Sequence, residues 1–233
     1  MKLVIIAGPP TVGKTAVIKQ SIPKLLVMGF HPAFLKFDVQ YANEDTELGE
    51  LYGIPTKKVF SGELCPDHCN AVVLGDAVTW AGKSNADVLI IESAGLCFRC
   101  SPYVNGGLGM AVLEATSGMN LPRKVGPLLS LADVVAVTKI DLISQAEREV
   151  FRANIRSATG AAIVETDALH GINIDRIVRK IAEIPDIPNR PLMLRGNPPV
   201  GVCTICVGKK DIGWDRHFGV VRSLETGIFY RGE

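Results

Sequence analysis

Residues Gly8 to Thr15 read GPPTVGKT, a Gly-x-x-x-x-Gly-Lys-Thr segment between the apolar run KLVIIA (2–7) and a helix-like stretch that begins at Gly13. The context matters as much as the letters. A loop that leaves a buried strand and opens a helix turns its backbone N–H groups, and the positive end of the helix, toward phosphate oxygens. Lys14 then reaches the β and γ oxygens and Thr15 ligates magnesium. Gly8, Pro9, Pro10, Thr11, Val12, Gly13, Lys14 and Thr15 are therefore the candidate phosphate-binding residues. A chance glycine turn would reproduce the letters without the strand before them and the helix after.

Outward from this loop, β-branched apolar runs recur at 33–38, 57–62, 87–93, 110–116, 133–139 and 161–166. Helix-like stretches lie between many of them, notably HCNAVVLGDAVTWAGK, SQAEREVFRANIRSATG and INIDRIVRKIAEI. Continuous apolar strands alternating with amphipathic helices predict an α/β fold, a largely parallel sheet with helices on both faces. With the phosphate loop after the first strand, this is the layout of a P-loop NTPase. The composition changes after Ile184, where PDIPNRPLMLRGNPPVG cannot continue a helix. Residues 1–184 read as the P-loop domain, 185–199 as a Pro-rich linker, and 200–233 as a small cysteine-containing β appendage with a hairpin around ETG.

The bulk properties narrow the function. With 25 Lys and Arg against 24 Asp and Glu, the chain offers no net charge to attract nucleic acid or an anionic membrane. The first apolar run ends in a Gly/Lys loop rather than a small-residue cleavage site, and no run is long enough to span a bilayer. A cytoplasmic protein is expected. In a reducing compartment its six cysteines bind metal more often than they form disulfides.

Other parts of a nucleotide site follow in order. Asp38 closes the second strand and Glu92 closes DVLIIE, natural positions for carboxylates that hold magnesium or its waters, although either alone reads equally as a solvated strand-end acid. Gly95 lets a switch backbone approach the γ-phosphate. In TKID, Thr138 to Asp141, the Asp141 carboxylate accepts from the N1–H and exocyclic amine of guanine, donors that adenine does not pair at that edge. GTP is thereby favoured over ATP. Lys139 packs its stem along the base, and ETDALHG brings the Ala168 amide toward the guanine carbonyl. Lys14, Asp38 and Glu92 are the candidate catalytic residues, with Thr15, Asp38 and Glu92 around magnesium.

All six cysteines are spaced in pairs, Cys65/Cys69 in CPDHC, Cys97/Cys100 in CFRC and Cys203/Cys206 in CTIC, a pattern that small core cysteines do not need. The first two pairs can form one tetrahedral thiolate site, share nickel or zinc across a dimer axis, or hold an iron–sulfur cluster. The spacing leaves all three open. Cys203/Cys206 resembles half of a zinc knuckle, to be completed by His217, another pair or a second protomer.

The motifs GPPTVGKT, KFDVQYANED, SGELCPDHC, IIESAG, NLPRKVGP and TKIDL together resemble the nickel-insertion GTPases of urease and hydrogenase maturation, the UreG and HypB types, with CobW-like proteins as wider relatives. The resemblance covers roughly residues 1–183 and is most specific in the combination of PRKVGP with TKID. It implies a SIMIBI-class fold, a GTP-dependent homodimer with its nucleotides near the interface, and slow hydrolysis that times metal delivery to a target metalloenzyme or its maturation complex. It also implies metal ligands at Cys65, His68 and Cys97. One inserted residue in Cys65-Pro66-Asp67-His68 leaves the choice between His68 and Cys69 open, and a solvent-facing His68 at a helix start is the plainer reading. Two rival functions remain. One is a nucleotide-gated iron–sulfur electron-transfer protein, against which the guanine-reading TKID argues. The other is a regulatory GTPase with structural zinc.

Overall fold

The valine- and isoleucine-rich runs pair into one sheet of β1 (Lys2–Ala7), β2 (Pro32–Asp38), β3 (Thr56–Phe60), β4 (Val88–Ser93), β5 (Leu108–Glu114), β6 (Val134–Thr138) and β7 (Ala162–Glu165). The order is β3-β2-β4-β1-β5-β6-β7, and every pairing is parallel. The computed structural model describes residues 1–39, 42–61, 66–94, 101–188, 191–197, 210–213, 219–223 and 227–231, without the side chains of 66–69, 219–223 and 227–231. Gly95, Cys65, Cys97, Cys100, Cys203, Cys206 and His217, and the side chains of His68 and Cys69, lie outside the described residues.

The central strands send alternate side chains to two separate cores, which is why they read as unbroken apolar runs, whereas the edge strand β3 buries only Val59. Leu3, Ile5, Leu89 and Ile91 pack with Val73, Leu74 and Ala77 of α3 (Pro66–Lys83), beside α4 (Leu121–Lys124), α5 (Gly126–Ser130) and α6 (Gln145–Ala158). Val4, Ile6, Val88 and Ile90 pack with Val17, Ile18 and Ile22 of α1 (Lys14–Val27), beside α2 (Glu44–Tyr52) and α7 (Ile174–Glu183). Strands β2 and β3 build one side of β1, β4 returns against β1, and β5 to β7 build the other side. The carboxyl ends of β1, β4 and β5 therefore border the point where sheet growth changes direction, the position at which open α/β sheets bind ligands.

Among the described residues no helix lies in the connection from β4 to β5. Tyr103, within this connection, is fully buried, and a Cβ at Gly109 would come within 2.6 Å of its ring. The Pro-rich segment after α7 lies along the same flank. Ile187 N–H donates to the Met1 carbonyl at 2.9 Å, and Arg195 N–H to the Tyr103 carbonyl at 2.9 Å. The Arg195 guanidinium donates to the carbonyls of Val104, Leu131 and Gly107 and to the Asp133 carboxylate at 2.7 Å. Toward the C-terminus, β8 (Gly219–Ser223) and β9 (Gly227–Arg231) pair antiparallel in a separate two-stranded sheet. Among the described residues no helix is long and apolar enough to cross a membrane.

Arg195→Ala removes the guanidinium from one carboxylate and three carbonyls, of which Asp133 keeps the Gly109 amide and Val104 the Gly107 amide. It is expected to lower stability by about 2 kcal/mol or more in urea denaturation and to open residues 185–197 to limited proteolysis. Unchanged cleavage would show that the guanidinium does not hold this segment.

Candidate nucleotide-binding site

The phosphate loop follows β1 as a consequence of crowding. A Cβ at Gly8 would lie 2.2 Å from the Val112 carbonyl oxygen, so only glycine lets the chain pass β5 at this point. The loop then crosses two left-handed residues, Thr11 at φ 63° and Gly13 at φ 90°, before α1 begins at Lys14. Gly13 offers no side-chain cap to α1 and no acid occupies the first turn of the helix, a composition that suits an anion-binding helix start. The buried Lys14 ammonium donates to the carbonyls of Gly8 and Pro9 at 2.9 Å each.

Beside this loop lies a compact group of charges. Lys36 and Glu92 are register partners on β2 and β4, and Glu92 is also the partner of Ile6 on β1. Both side chains are almost fully buried, with Lys36 Nζ 2.7 Å from Glu92 Oε1. Glu44 Oε1 lies 3.3 Å from the same ammonium and Asp38 Oδ2 lies 3.7 Å away. Thr15 Oγ1 is 3.1 Å from each Glu92 oxygen. Burial works against the charge of Lys36, but Glu92, then Glu44 and Asp38, outweigh it and raise its pKa above the usual lysine value. At Glu44 burial likewise opposes ionisation, yet its own backbone amide and Lys36 hold its carboxyl below the usual range. Lys36 was not singled out from the sequence; its signal is a lysine inside the apolar run AFLKFD, on a strand buried on both faces.

A second pole forms where β6 and β7 end. Thr138 Oγ1 donates to the Val12 carbonyl at 2.6 Å and lies 3.3 Å from the Leu113 carbonyl, fastening the TKID segment to the phosphate loop. Lys139 takes a left-handed conformation at φ 56°, and its ammonium pairs with Glu114. Asp141 is exposed in the 3-10 turn Ile140–Leu142. After β7, the buried Asp167 accepts from the amides of Leu169 and His170 at 2.9 and 3.2 Å and bonds the His170 ring, with Ala168 buried inside the turn. The His170 pKa is raised by its hydrogen bond to Asp167 and by that carboxylate's charge; Asp141 adds to the effect, so the two loops converge. Asp167 and His170 are further residues that sequence reasoning did not pick out; the Asp-x-x-His spacing in ETDALHG was their signal.

The donors Thr15, Asp38 and Glu92 are all oxygens gathered at the head of α1, and this set fits a hard divalent cation such as magnesium. For the cysteine pairs the structure gives their anchors. Buried Asn70, next after Cys69 on α3, donates from Nδ2 to the Pro102 carbonyl at 3.1 Å, two residues beyond Cys100. Among the described residues no group of three or more His, Cys, Asp or Glu side chains is arranged to hold a metal ion.

Residues 2–165, which run from β1 to the end of β7, match the family model described as "CobW/HypB/UreG, nucleotide-binding domain". The chain belongs to the CobW/HypB/UreG family. It is 42% identical, over the whole length of both chains, to a Methanocaldococcus jannaschii protein named "Uncharacterized protein MJ0120". It is 28% identical to the urease accessory protein UreG 2 of Streptomyces griseus over 194 residues, covering 74% of this chain and 82% of that one. Among solved structures, the hydrogenase maturation factor HypB of Archaeoglobus fulgidus superposes with a TM-score of 0.64 at 20% identity, covering 78% of this chain and 89% of that one. HypB of Helicobacter pylori in complex with nickel gives 0.62 at 15% identity, covering 78% and 86%. These structures share the fold. The chain is thus a nucleotide-binding protein of a P-loop GTPase family, with the strand order described above.

The Asp167–His170 contact gives a pH signature. The raised histidine contributes stability in full below the unfolded value of about 6.5, and that stability is lost as pH rises through the higher folded value. Asp167 is lowered chiefly by the His170 hydrogen bond, so its contribution is present above about 3.9 and lost as pH falls through the lower folded value. In an NMR titration the His170 ring is expected to titrate above 6.5, and Asp167→Asn should return it toward that value. A His170 titration unaffected by Asp167→Asn would contradict the contact.

Proposed function

We propose that the protein is a slow GTPase whose nucleotide state controls metal binding at its cysteine pairs, and that it delivers the metal to a target metalloenzyme or its maturation complex as a GTP-dependent homodimer. One observation carries the reading. Glu92 meets Thr15 of the phosphate loop, the chain runs on from Glu92 through Cys97 and Cys100, and its far end is bonded at Pro102 to Asn70, the neighbour of Cys69 on α3. The segment bearing one thiol pair is thus fixed to the nucleotide site at one end and to the helix bearing the other pair at its far end. The names of the UreG and HypB relatives, proteins of urease and hydrogenase maturation, support the same direction.

Each residue then has a role. The loop amides and Lys14 offset phosphate charge, Asp141 reads the guanine edge, and Asp38, Glu44 or Asp45 orients the attacking water. Water adds to the γ-phosphorus as the bond to the β-phosphate oxygen breaks, leaving GDP and phosphate. Thr15, Asp38 and Glu92 would hold magnesium, which supplies charge neutralisation across the β- and γ-phosphates. Gly95 gives the switch backbone room to follow the γ-phosphate. Zinc or nickel is the cargo, bound by Cys65, Cys69 or His68, Cys97 and Cys100, while Cys203 and Cys206 make a zinc knuckle in the C-terminal appendage.

Two measurements test the proposal. Asp141→Ala should weaken GTP binding about a hundredfold and erase the preference over ATP, because a buried base donor loses its acceptor; a retained preference would remove Asp141 from base recognition. Protein purified without oxygen should carry zinc or nickel in amounts that differ between the GTP and GDP states, and Cys97→Ala should abolish the difference. Iron with acid-labile sulfide would overturn the reading in favour of an electron-transfer protein, and zinc unchanged between nucleotide states would overturn it in favour of a structural role.

A further inference from the structure

Lys36 belongs to no part of the phosphate-loop machinery, yet it is among the most deeply buried charges of the described residues, at 3% exposure. Its ammonium is aimed at the carboxylates that the magnesium side of the site would use, 2.7 Å from Glu92 and 3.7 Å from Asp38, with Glu44 as a third partner at 3.3 Å. Cross-strand register fixes the central contact, because Lys36 and Glu92 are paired positions on adjacent parallel strands. The Thr15 hydroxyl lies on the same carboxylate, 3.1 Å from both oxygens. A monovalent cation is therefore built into the protein at the position where a divalent one would bind.

We propose that Lys36 is a resident counter-cation that occupies the Glu92 and Asp38 carboxylates while nucleotide is absent, and thereby excludes free divalent cations until one arrives on the phosphates of a nucleotide. The physical reasoning is a balance of charge. A buried carboxylate already neutralised by an ammonium at hydrogen-bond distance gains little from a second cation, which must shed water and meet the ammonium's repulsion in a medium of low dielectric. Magnesium dehydrates reluctantly, so it binds poorly where one carboxylate is partly spent. The phosphates of a bound nucleotide add several negative charges at the same point and tip the balance, leaving Lys36 to share its charge with Glu44. In a protein that handles metal as cargo, this keeps the nucleotide site from collecting loose ions. A purely structural lysine would predict only a loss of stability on its removal.

The proposal rests on the assignment of Thr15, Asp38 and Glu92 to the magnesium side of the site, and the experiment separates the two. The full chain, free of nucleotide, is titrated with Mn2+ alone, and unbound Mn2+ is followed by EPR; this hard ion reports carboxylates in preference to thiolates. Wild type and Lys36→Arg should bind weakly. Lys36→Gln should bind at least tenfold more tightly, and Mn2+ should raise its Tm while leaving that of the wild type unchanged. A folded Lys36→Gln that binds Mn2+ no more tightly than wild type overturns the proposal. Should that variant not fold, the double variant Lys36→Gln with Glu44→Gln relieves one negative charge, keeps Glu92 and Asp38, and is held to the same tenfold criterion. In parallel, wild type is titrated with GTP with and without Mg2+: GTP binding indifferent to Mg2+ overturns the site assignment, whereas Mg2+-dependent binding with no gain in Lys36→Gln overturns the Lys36 proposal alone.

Discussion

The buried carboxylate of Glu92 is the constraint on which the rest of the structure turns. At 1% exposure an ionised acid is unstable unless charge and hydrogen bonds surround it. Two separate chain segments supply them: Lys36 from β2 and Thr15 from the first turn of α1. Satisfying one residue fixes the register of β2 against β4 and sets the start of α1 over the sheet. Removing one partner of such a pair costs about 3–5 kcal/mol, a large share of the stability of a domain. The same residue is the last but one of the strand that leads into the cysteine-bearing stretch, so any ligand that changes the surroundings of Glu92 acts at the root of that stretch.

A second fastening sets the other half of the site. The hydrogen bond from Thr138 to Val12 ties the end of β6 to the loop after β1, and Gly8 allows that loop to lie against β5. The phosphate loop and the second pole are thus held together by short polar contacts between strand ends, while the sheet beneath them supplies rigidity. Asp141 and the Asp167–His170 turn lie at the outer edge of this assembly. Fixed strand ends carrying variable loops are the usual means by which an α/β sheet presents a ligand site.

Most of this was legible in the sequence, and the omissions have physical causes. The central strands could be read because burial on both faces demands continuous apolar runs, and the phosphate loop because its function requires a strand, a glycine turn and a helix in order. Lys36 escaped notice because strand patterning treats a lysine as a solvent-facing residue, and only the pairing of β2 with β4 reveals its partner. The Asp167–His170 contact depends on a turn whose geometry has no regular period. The stretch 185–199 reads as a linker from its prolines, and within it Arg195 is bonded to carbonyls far away in the sequence, contacts that local composition does not encode. The short helix α2 is almost devoid of an apolar stripe, with only Leu48 of its apolar residues buried, so periodicity gave no sign of it.

Under the proposed function, nucleotide and metal are two ligands of one connected segment, and thermodynamic linkage requires each to alter the affinity of the other by the same factor. The most direct measurement is equilibrium dialysis of zinc and of nickel against the protein loaded with a non-hydrolysable GTP analogue or with GDP, together with the analogue's affinity for metal-free and metal-loaded protein. The account predicts that metal affinity differs between the two nucleotide states, and that the analogue's affinity relative to that of GDP shifts by the same factor when metal binds. Equal metal affinity in both nucleotide states would contradict it.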